Sequence, residues 1–440
     1  MSKVEPKIMS GFMELTPENQ IKFNYMYDTI KNTYESFGFL PIDTPILEYS
    51  EILLAKAGGE TEKQIYSFKK GDTDISMRFD LTVPLSRYVS QHMNDITFPF
   101  KRYQIGKVYR GERPQKGRFR EFYQCDIDVI GNGELSIAYD AELPCIIYNV
   151  FKKFGFGEFV IKINNRKILN GFFSSLGLSE KVTDILRIVD KIDKIGPEIV
   201  KEELIKIGIS KEAADRILYF INVDGSNDEI INALKNLNIE NEIFNKGVEE
   251  IEQVINYLRM FNIPENNFKI ALSIARGLDY YTGTVYETNL VDYPELGSIC
   301  SGGRYDNLTS YYSNQTMPGV GISIGLTRLF DQLMDNGLIE KIQINSSIAQ
   351  VLIVDADNSN FEYVSNVGNI LRQNNIRTDI YYGDKQLKNK MKYANKLAIT
   401  YVLIIGETEK NNNQVTIKNM ETGEQNLTTI EEAIKIINKE

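Results

Sequence analysis

The segment between Phe100 and Gly131 carries a dense cluster of basic side chains that could bind a polyanion. From residue 101 to residue 120, eight lysines and arginines stand against one acid, Glu112, which gives a local charge of +7 in a chain whose total is −10. The rigid fork of an arginine suits phosphate oxygens, so the cluster predicts phosphate binding. A solvated basic hairpin without a ligand is the simpler alternative, and the segment alone does not decide between them. The eight basic residues are Lys101, Arg102, Lys107, Arg110, Arg113, Lys116, Arg118 and Arg120.

A β-hairpin is the element that must position these side chains. The flanks QIGKVYR and REFYQCDIDVI contain β-branched and aromatic residues typical of strands, and ERPQKGR between them holds the Pro and Gly of a turn. Alternate residues of a hairpin share a face, so one face beneath a basic loop is predicted to carry Arg110 together with Phe122, Gln124, Asp126 and Asp128. Phe122 would offer a flat apolar surface on which a base could stack.

Composition and single residues exclude several classes of protein. The 440 residues, 42% hydrophobic and 25% charged, suit a globular protein of two or three domains. The sequence has no apolar run long enough for a membrane span and no secretion signal at its start, so we expect a cytoplasmic protein. Three cysteines are too few for a disulfide framework or a CxxC metal site, and a single histidine, His92, excludes HExxH zinc sites and Ser-His-Asp triads. A pI of about 5.1 argues against indiscriminate nucleic-acid binding but not against a specific RNA.

The remaining patterns predict how the chain is organised. Thr16 and Pro17 predict the start of a long helix that ends before Gly38, and the prolines at 41 and 45 predict an edge strand after it. Residues 166–262 have apolar side chains at helical spacing. Residues 336–347 are polar and turn-rich, which suits a linker. From residue 348 to 440, strands and helices alternate as in a compact α/β domain, in which the lysines between 385 and 396 predict a solvated or an RNA-facing helix surface.

Two further motifs carry a specific resemblance. The sequence reads RGLDYYT at 276–282 and SGGRYD at 301–306. With these motifs and the hairpin together, the chain closely resembles the histidyl-tRNA synthetases, a family of class II aminoacyl-tRNA synthetases. The resemblance runs essentially from end to end and includes the three weak class II motifs, at 17–48, 100–131 and 319–329.

The resemblance implies an α+β architecture. Residues 1–335 would form the class II catalytic core, an antiparallel sheet flanked by helices, with a helical insertion at about 166–262. Residues 336–347 would be the linker and residues 348–440 a C-terminal α/β anticodon-binding domain. A homodimer built partly on the first motif is also implied. Asp80 and Asp128 stand where many bacterial members carry Glu, which leaves the pocket geometry at both carboxylates open.

The family's reaction joins histidine to ATP, releases pyrophosphate, and then transfers histidine to the 3′ end of histidine tRNA. The α-carboxyl of an amino acid has a pKa of roughly 3.5, so it is already ionised and the first step needs no general base. Positive charge must bring this anion to the α-phosphate, a role for which we expect Arg276 on the carboxylate and Arg110 on the phosphate. Magnesium would neutralise the departing pyrophosphate.

The resemblance also implies binding roles for individual residues. Arg118 and Arg328 would bind the γ-phosphate, Phe122 would stack on adenine, and Glu112 would lie near the adenine amine. For histidine, the α-ammonium group would meet Asp80, Thr82 and Gln124, and the ring nitrogens would meet Asp128, Tyr281 and Tyr305. The loop residues Gln115 and Arg120 would lie near the extra 5′ guanosine of histidine tRNA.

Two other functions compete with this interpretation. The synthetase-like regulatory subunit of ATP phosphoribosyltransferase shares the fold without aminoacylation, but it lacks the anticodon-binding domain and usually has eroded motifs. A class II enzyme for threonine or proline would leave the motifs at 276–282 and 301–306 unexplained.

Overall fold

The computed structural model describes residues 4–54, 60–274, 281–306, 312, 315–342, 344 and 347–438, and only the backbone of residues 60, 61, 193 and 194. The chain forms two compact units. The first comprises Met1–Glu14 and Met26–Ile342, and the second comprises Leu15–Tyr25 and Gln343–Glu440. Arg276 lies outside the described residues, so its role stays a prediction.

The N-terminal part contains both strands and helices up to residue 165. Pro17 begins the first helix and the chain turns at Gly38, which has a positive φ of 78°, as the sequence predicted. In chain order they are α1 (Pro17–Ser36), β1 (Leu40–Pro41), β2 (Leu47–Tyr49), α2 (Ser50–Leu54), α3 (Glu60–Gln64), β3 (Ser67–Lys70), β4 (Thr73–Met77), α4 (Thr82–His92), β5 (Phe100–Tyr109), β6 (Glu121–Ile130), α5 (Tyr139–Phe154) and β7 (Phe159–Asn165).

Helices then follow one another up to residue 260, in the region where the sequence shows helical spacing. Side-chain caps begin several of them: Asn165, Ser210, Ser226 and Asn241 each accept a hydrogen bond from a backbone N–H in the first turn. These helices are α6 (Arg166–Ser175), α7 (Val182–Val189), α8 (Ile192–Ile195), α9 (Pro197–Lys206), α10 (Lys211–Ile221), α11 (Asn227–Asn236) and α12 (Glu242–Met260). Across the described part of the chain, no helix combines the length and apolar character needed to cross a membrane.

Strands return after α12 and complete a mixed sheet of eight strands, in the order β1-β5-β6-β11-β10-β9-β7-β8. The five inner pairings are antiparallel, whereas β1 and β8 pair in parallel at the two edges. This arrangement confirms the predicted antiparallel sheet with a proline-containing edge strand. The added elements are β8 (Phe268–Ile270), β9 (Thr284–Leu290), β10 (Cys300–Tyr305), β11 (Gly319–Gly325) and α13 (Leu326–Asp335).

The two faces of β6 differ, because successive side chains of a strand point to opposite sides. Cys125, Ile127 and Val129 are fully buried in the core, where the Tyr34 hydroxyl of α1 donates a hydrogen bond to the Cys125 carbonyl oxygen at 3.1 Å. The even-numbered residues carry the polar groups. Since β6 lies between β5 and β11, these polar groups stand near the middle of the sheet.

The C-terminal elements form a separate five-stranded sheet, in the order β13-β12-β14-β15-β16, with helices against both faces. Its first three strands are parallel neighbours and the last two pair antiparallel. In chain order the elements are β12 (Val351–Asp355), α14 (Phe361–Gln373), β13 (Thr378–Tyr381), α15 (Leu387–Lys396), β14 (Tyr401–Ile405), α16 (Glu407–Asn411), β15 (Gln414–Asn419), β16 (Gln425–Thr429) and α17 (Ile430–Ile437).

The lysine-rich helix α15 differs from the predicted solvated surface at one position. Lys390 is 1% exposed, and its ammonium group donates to the Asp355 carbonyl oxygen at 2.6 Å and to Asn358 Oδ1 at 2.5 Å. Helical spacing explains the difference, because residue 390 falls on the same side of α15 as the buried Ala394. Lys388 and Lys392 stay exposed.

Candidate active site

A cavity of about 490 Å³ opens on the face of the eight-stranded sheet that carries the even-numbered side chains of β6. Its lining comes from the hairpin loop and β6, the start of α4, strands β9, β10 and β11, and the start of α13. Most of the residues predicted to form a site lie in this lining. They are Asp80, Thr82, Arg110, Glu112, Arg118, Phe122, Gln124, Tyr281 and Arg328.

Arg110 stands where the first hairpin strand enters the basic loop. Its guanidinium lies 4.3 Å from the ring centroid of Phe79 and 5.1 Å from that of Phe122, and Nε donates to the Phe79 carbonyl oxygen at 3.2 Å. The hairpin register places Arg110 and Phe122 on one face, as predicted. Two aromatic faces and a carbonyl therefore hold this cation at the cavity wall.

Two more arginines line the same end of the cavity. Arg118 is 57% exposed and lies 3.5 Å from the Glu112 carboxylate, and Arg328 donates from Nη2 to the Leu296 carbonyl oxygen at 3.1 Å. The side chains of Arg328 and the loop approach each other at Gly117. The loop end of the cavity is therefore strongly cationic.

The structure does not bring the predicted tRNA-contacting residues to the cavity. Arg120 donates from Nε to the Glu112 carbonyl oxygen at 3.0 Å, and its backbone N–H donates to the Gly11 carbonyl oxygen at 2.7 Å. Gln115 pairs with Arg118 across the tip of the loop. Both residues belong to the outer part of the hairpin loop.

Asp80 and Thr82 reach the cavity from the start of α4, and Gln124 reaches it from β6. Asp80 Oδ1 accepts a hydrogen bond from the Val83 N–H at 2.9 Å, which fixes the carboxylate at the helix start. Gln124 donates from Nε2 to the Ser323 hydroxyl at 3.0 Å, and its buried Oε1 has no hydrogen-bond partner among the described residues. A donor group in a ligand would satisfy this oxygen.

Asp128 and Tyr305 are not among the described residues that line the cavity. The Tyr305 hydroxyl donates to Asp128 Oδ1 at 2.7 Å, and Asp128 Oδ2 lies 2.5 Å from Nη2 of the fully buried Arg102. The register is the reason: Asp128 stands opposite Arg102 on β5 and Gly321 on β11, and its carboxylate occupies the space above Gly321. Burial raises the pKa of Asp128 to about 6, although the Arg102 charge acts to lower it.

Asp126 is a lining residue that the predicted site did not include. Its side chain is 4% exposed, and burial raises its pKa to about 7 while the Arg102 charge acts to lower it. The alternation of β6 already placed Asp126 on the face of Gln124, so the sequence held the signal for it. Glu287 also lines the cavity, and nothing in the sequence singled it out. Ser301 and Ser323 line it too; they belong to the motifs at 301–306 and 319–329 but had no predicted role.

The SGGRYD motif supports the site mainly through packing. A Cβ on Gly302 would lie 2.1 Å from the Gly321 carbonyl oxygen, and one on Gly303 would lie 2.9 Å from the Tyr281 ring. The glycines thus admit a neighbouring strand and a tyrosine. Arg304 points away from the cavity to the fully buried Asp140, with Nε–Oδ1 at 3.0 Å and Nη2–Oδ2 at 2.5 Å.

The arrangement suits a ligand that is anionic at one end and bears N–H donors at the other. Arginines surround the loop end of the cavity, whereas acceptor oxygens of Gln124 and Asp126 face it further along β6. Fixed charges of this kind stabilise a charged ligand or transition state without reorganising.

Comparisons with known proteins show which family the chain is similar to. The family profile described as histidyl-tRNA synthetase matches residues 11–329, and that of an anticodon binding domain matches residues 350–440. The histidine–tRNA ligase of Clostridium tetani is 57% identical over 434 residues, covering 99% of this chain and 98% of that protein. The histidine–tRNA ligase of Clostridium acetobutylicum is 49% identical over 431 residues, covering 98% of this chain and 99% of that protein.

A solved structure shows the same likeness in three dimensions. The crystal structure of histidyl-tRNA synthetase from Nostoc sp. PCC 7120 matches with a TM-score of 0.92 at 41% identity, covering 99% of this chain and all of that one, 100%. The matches span both the catalytic sequence motifs and the C-terminal sheet. The chain therefore belongs to the histidyl-tRNA synthetase family.

Proposed function

We propose that the chain is a histidine–tRNA ligase, which activates histidine with ATP to histidyl-adenylate and pyrophosphate and then transfers histidine to the 3′ end of histidine tRNA. The observation that carries the proposal is a cavity that combines a cationic end with buried acceptor oxygens, in a chain of this family. The reaction consumes ATP and charges tRNA, so we place it in the cytoplasm.

In the first step, the histidine carboxylate attacks the α-phosphate of ATP. The carboxylate is already ionised at neutral pH, so the protein needs to hold two anions together rather than to remove a proton. Arg110 would bind the α-phosphate, since its guanidinium is held at the cavity wall by Phe79 and Phe122. Arg276, outside the described residues, would bind the carboxylate.

The rest of ATP would extend along the loop end of the cavity. Phe122 presents a ring for adenine to stack on, and Glu112 lies in the same lining to accept from the adenine amine. Arg118 and Arg328, both in the cavity lining, would bind the γ-phosphate. The exposure of Arg118 leaves its guanidinium accessible to the nucleotide.

Magnesium is expected to accompany ATP in this reaction. The ion usually takes only one or two protein carboxylates and completes its shell with phosphates and water. Glu287 in the cavity lining fits that requirement, and the described residues contain no cluster of three acidic, histidine or cysteine ligands. When bound, the ion would neutralise charge on the departing pyrophosphate.

Histidine would lie along β6, with its α-ammonium group near Asp80, Thr82 and Gln124. The unpartnered Oε1 of Gln124 supports this placement, because an ammonium group would satisfy it. Tyr281 in the lining would contact the ring. Asp128 and Tyr305, which lie below the cavity lining, would contact it as well. A site built to hydrogen-bond a polar ring rejects isosteres by on the order of 10,000-fold, so no editing site is required.

For the transfer step we propose that separate domains of the chain bind the two ends of the tRNA. Residues 1–335, including a helical insertion at 166–262, would be the catalytic core, joined by a linker at 336–347 to an anticodon-binding domain at 348–440. The match of an anticodon binding domain at 350–440 supports this division. Gln115 and Arg120, on the outer part of the hairpin loop, would contact the acceptor end of histidine tRNA.

We also propose a homodimer. The β2–β4–β3 sheet exposes Leu47 by 48%, Tyr49 by 62% and Phe68 by 47%, and the edge strand β1 exposes Leu40 by 58%. Contiguous apolar side chains of this size on a protein surface usually mark an interface. Light scattering should give twice the 50.4 kDa mass of one chain, and a single-chain mass would contradict the dimer.

The function is tested by ATP–pyrophosphate exchange with each of the twenty amino acids in turn. We expect exchange with histidine alone, followed by charging of histidine tRNA. Arg110→Ala should lower the exchange rate by about 100- to 1000-fold, the usual cost of removing one preorganised donor. Exchange with another amino acid, or none at all with folded protein, would overturn the proposal; the second result is what the regulatory-subunit alternative predicts.

A further inference from the structure

Asp126 combines three properties that the proposed roles leave unexplained. It is 4% exposed, it lines the cavity, and its Oδ1 has no hydrogen-bond partner among the described residues. A buried carboxylate oxygen without a partner is energetically costly, because it loses its hydration without replacement. A fold that keeps such an oxygen in a cavity wall prepares it for a ligand donor.

The register of the sheet places Asp126 deeper than the groups proposed for the α-ammonium. Gln124 and Asp80 are half-buried, whereas Asp126, one two-residue step further along β6 and so roughly 7 Å away, is buried. Asp126 stands opposite Gln104 on β5 and Ser323 on β11, in the interior of the sheet. A ligand that enters past Arg110 would reach Asp126 with its far end.

Asp128, the next carboxylate along the same face, is already engaged. Tyr305 donates to one of its oxygens at 2.7 Å and Arg102 lies 2.5 Å from the other. Asp126 therefore presents a buried carboxylate oxygen, Oδ1, in the cavity lining that has no donor among the described residues.

The charges around Asp126 leave it able to ionise when a donor arrives. Burial is the largest cause of the raised pKa. Arg102 on β5 and a side-chain hydrogen bond with Ser323 on β11 favour the ionised form, while Asp128 on the same strand and Asp80 before α4 oppose it. Burial also raises the pKa of the neighbouring thiols and phenol well above ordinary values, so these groups stay neutral at physiological pH. They are Tyr34 on α1, Cys125 on β6 and Cys300 on β10.

We propose that Asp126 accepts a hydrogen bond from the ring N–H of histidine and is a specificity-determining residue of the site. The inference rests on the proposed function and deepens it, because it adds a ring contact in front of the Asp128–Tyr305 pair. Asp126 selects a ring that carries a donor at its far end, and apolar or sulfur-containing rings leave its oxygen unpaired.

The first test is a KM measurement in pyrophosphate exchange with full-length protein. Asp126→Asn should raise the KM for histidine by about 10- to 100-fold, the usual worth of a charge-assisted hydrogen bond, and should change the KM for ATP by less than about twofold. Asp95→Asn removes the same charge at a side chain that is 83% exposed and is the matched control. An unchanged KM for histidine would overturn the proposal.

The second test asks which part of histidine Asp126 contacts. Thiazolylalanine keeps the α-ammonium and carboxylate but has no ring N–H, so its inhibition constant relative to the KM for histidine measures the worth of that donor. Because an Asn oxygen still accepts a hydrogen bond, Asp126→Ala is the variant to compare. The preference for histidine should fall at least about tenfold in Asp126→Ala, as expected for coupled groups in a double-variant cycle. An unchanged preference would place Asp126 elsewhere and overturn the proposal.

Two controls keep the outcomes separable. Circular dichroism checks that each variant is folded. If Asp126→Ala is not folded, the ratio of the thiazolylalanine inhibition constant to the KM for histidine is measured on Asp126→Asn instead, and it should fall because the charge is lost. Wild-type protein without histidine-dependent exchange would refute the proposed function itself, whereas active wild type with an unaffected variant would refute only the role of Asp126.

Discussion

Arg102 offers a direct test of how the buried carboxylates of β6, Asp126 and Asp128, are stabilised. Its side chain is 0% exposed, its Nη2 lies 2.5 Å from Asp128 Oδ2, and none of its guanidinium nitrogens donates a well-aligned hydrogen bond within the described chain. Its charge also acts on Asp126. Arg102→Met keeps most of the side-chain volume and removes the charge, so the perturbation is chiefly electrostatic.

The expected loss depends on pH. Burial raises the pKa of Asp126 to about 7 and of Asp128 to about 6, above their unfolded values, so the stability from these carboxyls is fully present below about pH 4 and is lost as pH rises from there through 6 to 7. Without Arg102 both pKa values rise further and this loss continues to higher pH. At pH 8 we expect a loss of about 3–5 kcal/mol in the free energy of unfolding, the cost of leaving a buried charge unpaired.

At pH 5 the outcome should differ, because both carboxyls are then mostly protonated. Arg102 is itself the unpaired charge under that condition, so its removal should cost much less or even stabilise the protein. The assay is urea unfolding followed by circular dichroism at pH 5, 6, 7 and 8, since the chain has no tryptophan for fluorescence.

A second substitution separates charge from packing. Asp128→Asn added to Arg102→Met removes the carboxylate that loses its partner, and it should recover part of the stability at pH 8. Equal losses at pH 5 and pH 8, with no recovery in the double variant, would refute the electrostatic reasoning and assign the effect to packing.

Phe122→Ala should raise the KM for ATP in pyrophosphate exchange by about fivefold or more, because base stacking on an aromatic ring contributes about 1–3 kcal/mol; an unchanged KM would separate Phe122 from the nucleotide. Asp126→Asn should raise the thermal unfolding midpoint at pH 8 relative to wild type, because the carboxyl with a pKa of about 7 is ionised and buried there. The gain should be smaller at pH 5, where the folded-state carboxyl is mostly protonated, and a lower midpoint at pH 8 would contradict it. Lys390→Met should lower the free energy of unfolding by about 1–3 kcal/mol, because the buried Asp355 carbonyl oxygen loses its donor, whereas Lys392→Met should change it by less than about 0.5 kcal/mol. Similar effects of both lysine substitutions would contradict the buried role of Lys390.

Local patterns predicted the elements of the site correctly. The hairpin of β5 and β6, the shared face of Arg110, Phe122 and Gln124, and the long first helix all follow from periodicity and turn residues, which act over a few neighbours in sequence. The residue types of the basic loop likewise indicated a polyanion before any coordinates. Such features depend on short-range physics, and so a sequence contains them.

The contacts between distant strands could not be predicted in this way. Nothing local says that Asp128 faces Arg102 and Tyr305, or that Arg304 of the glycine-rich motif turns away to meet Asp140. The glycines of that motif make room for β11 and Tyr281, which only the register of the assembled sheet reveals. Lys390 is a similar case, since its burial depends on how α15 packs on its sheet.

The sequence by itself determined the secondary structure of the hairpin, the cationic character of its loop and the membership of the family. The tertiary structure decided which carboxylate of β6 faces the cavity and which is held beneath it. The physical reason is that alternation along a strand places both carboxylates on one face, but only the neighbouring strands supply the partners that occupy one and leave the other open. Asp126 and Asp128 are equivalent in the pattern and different in the fold.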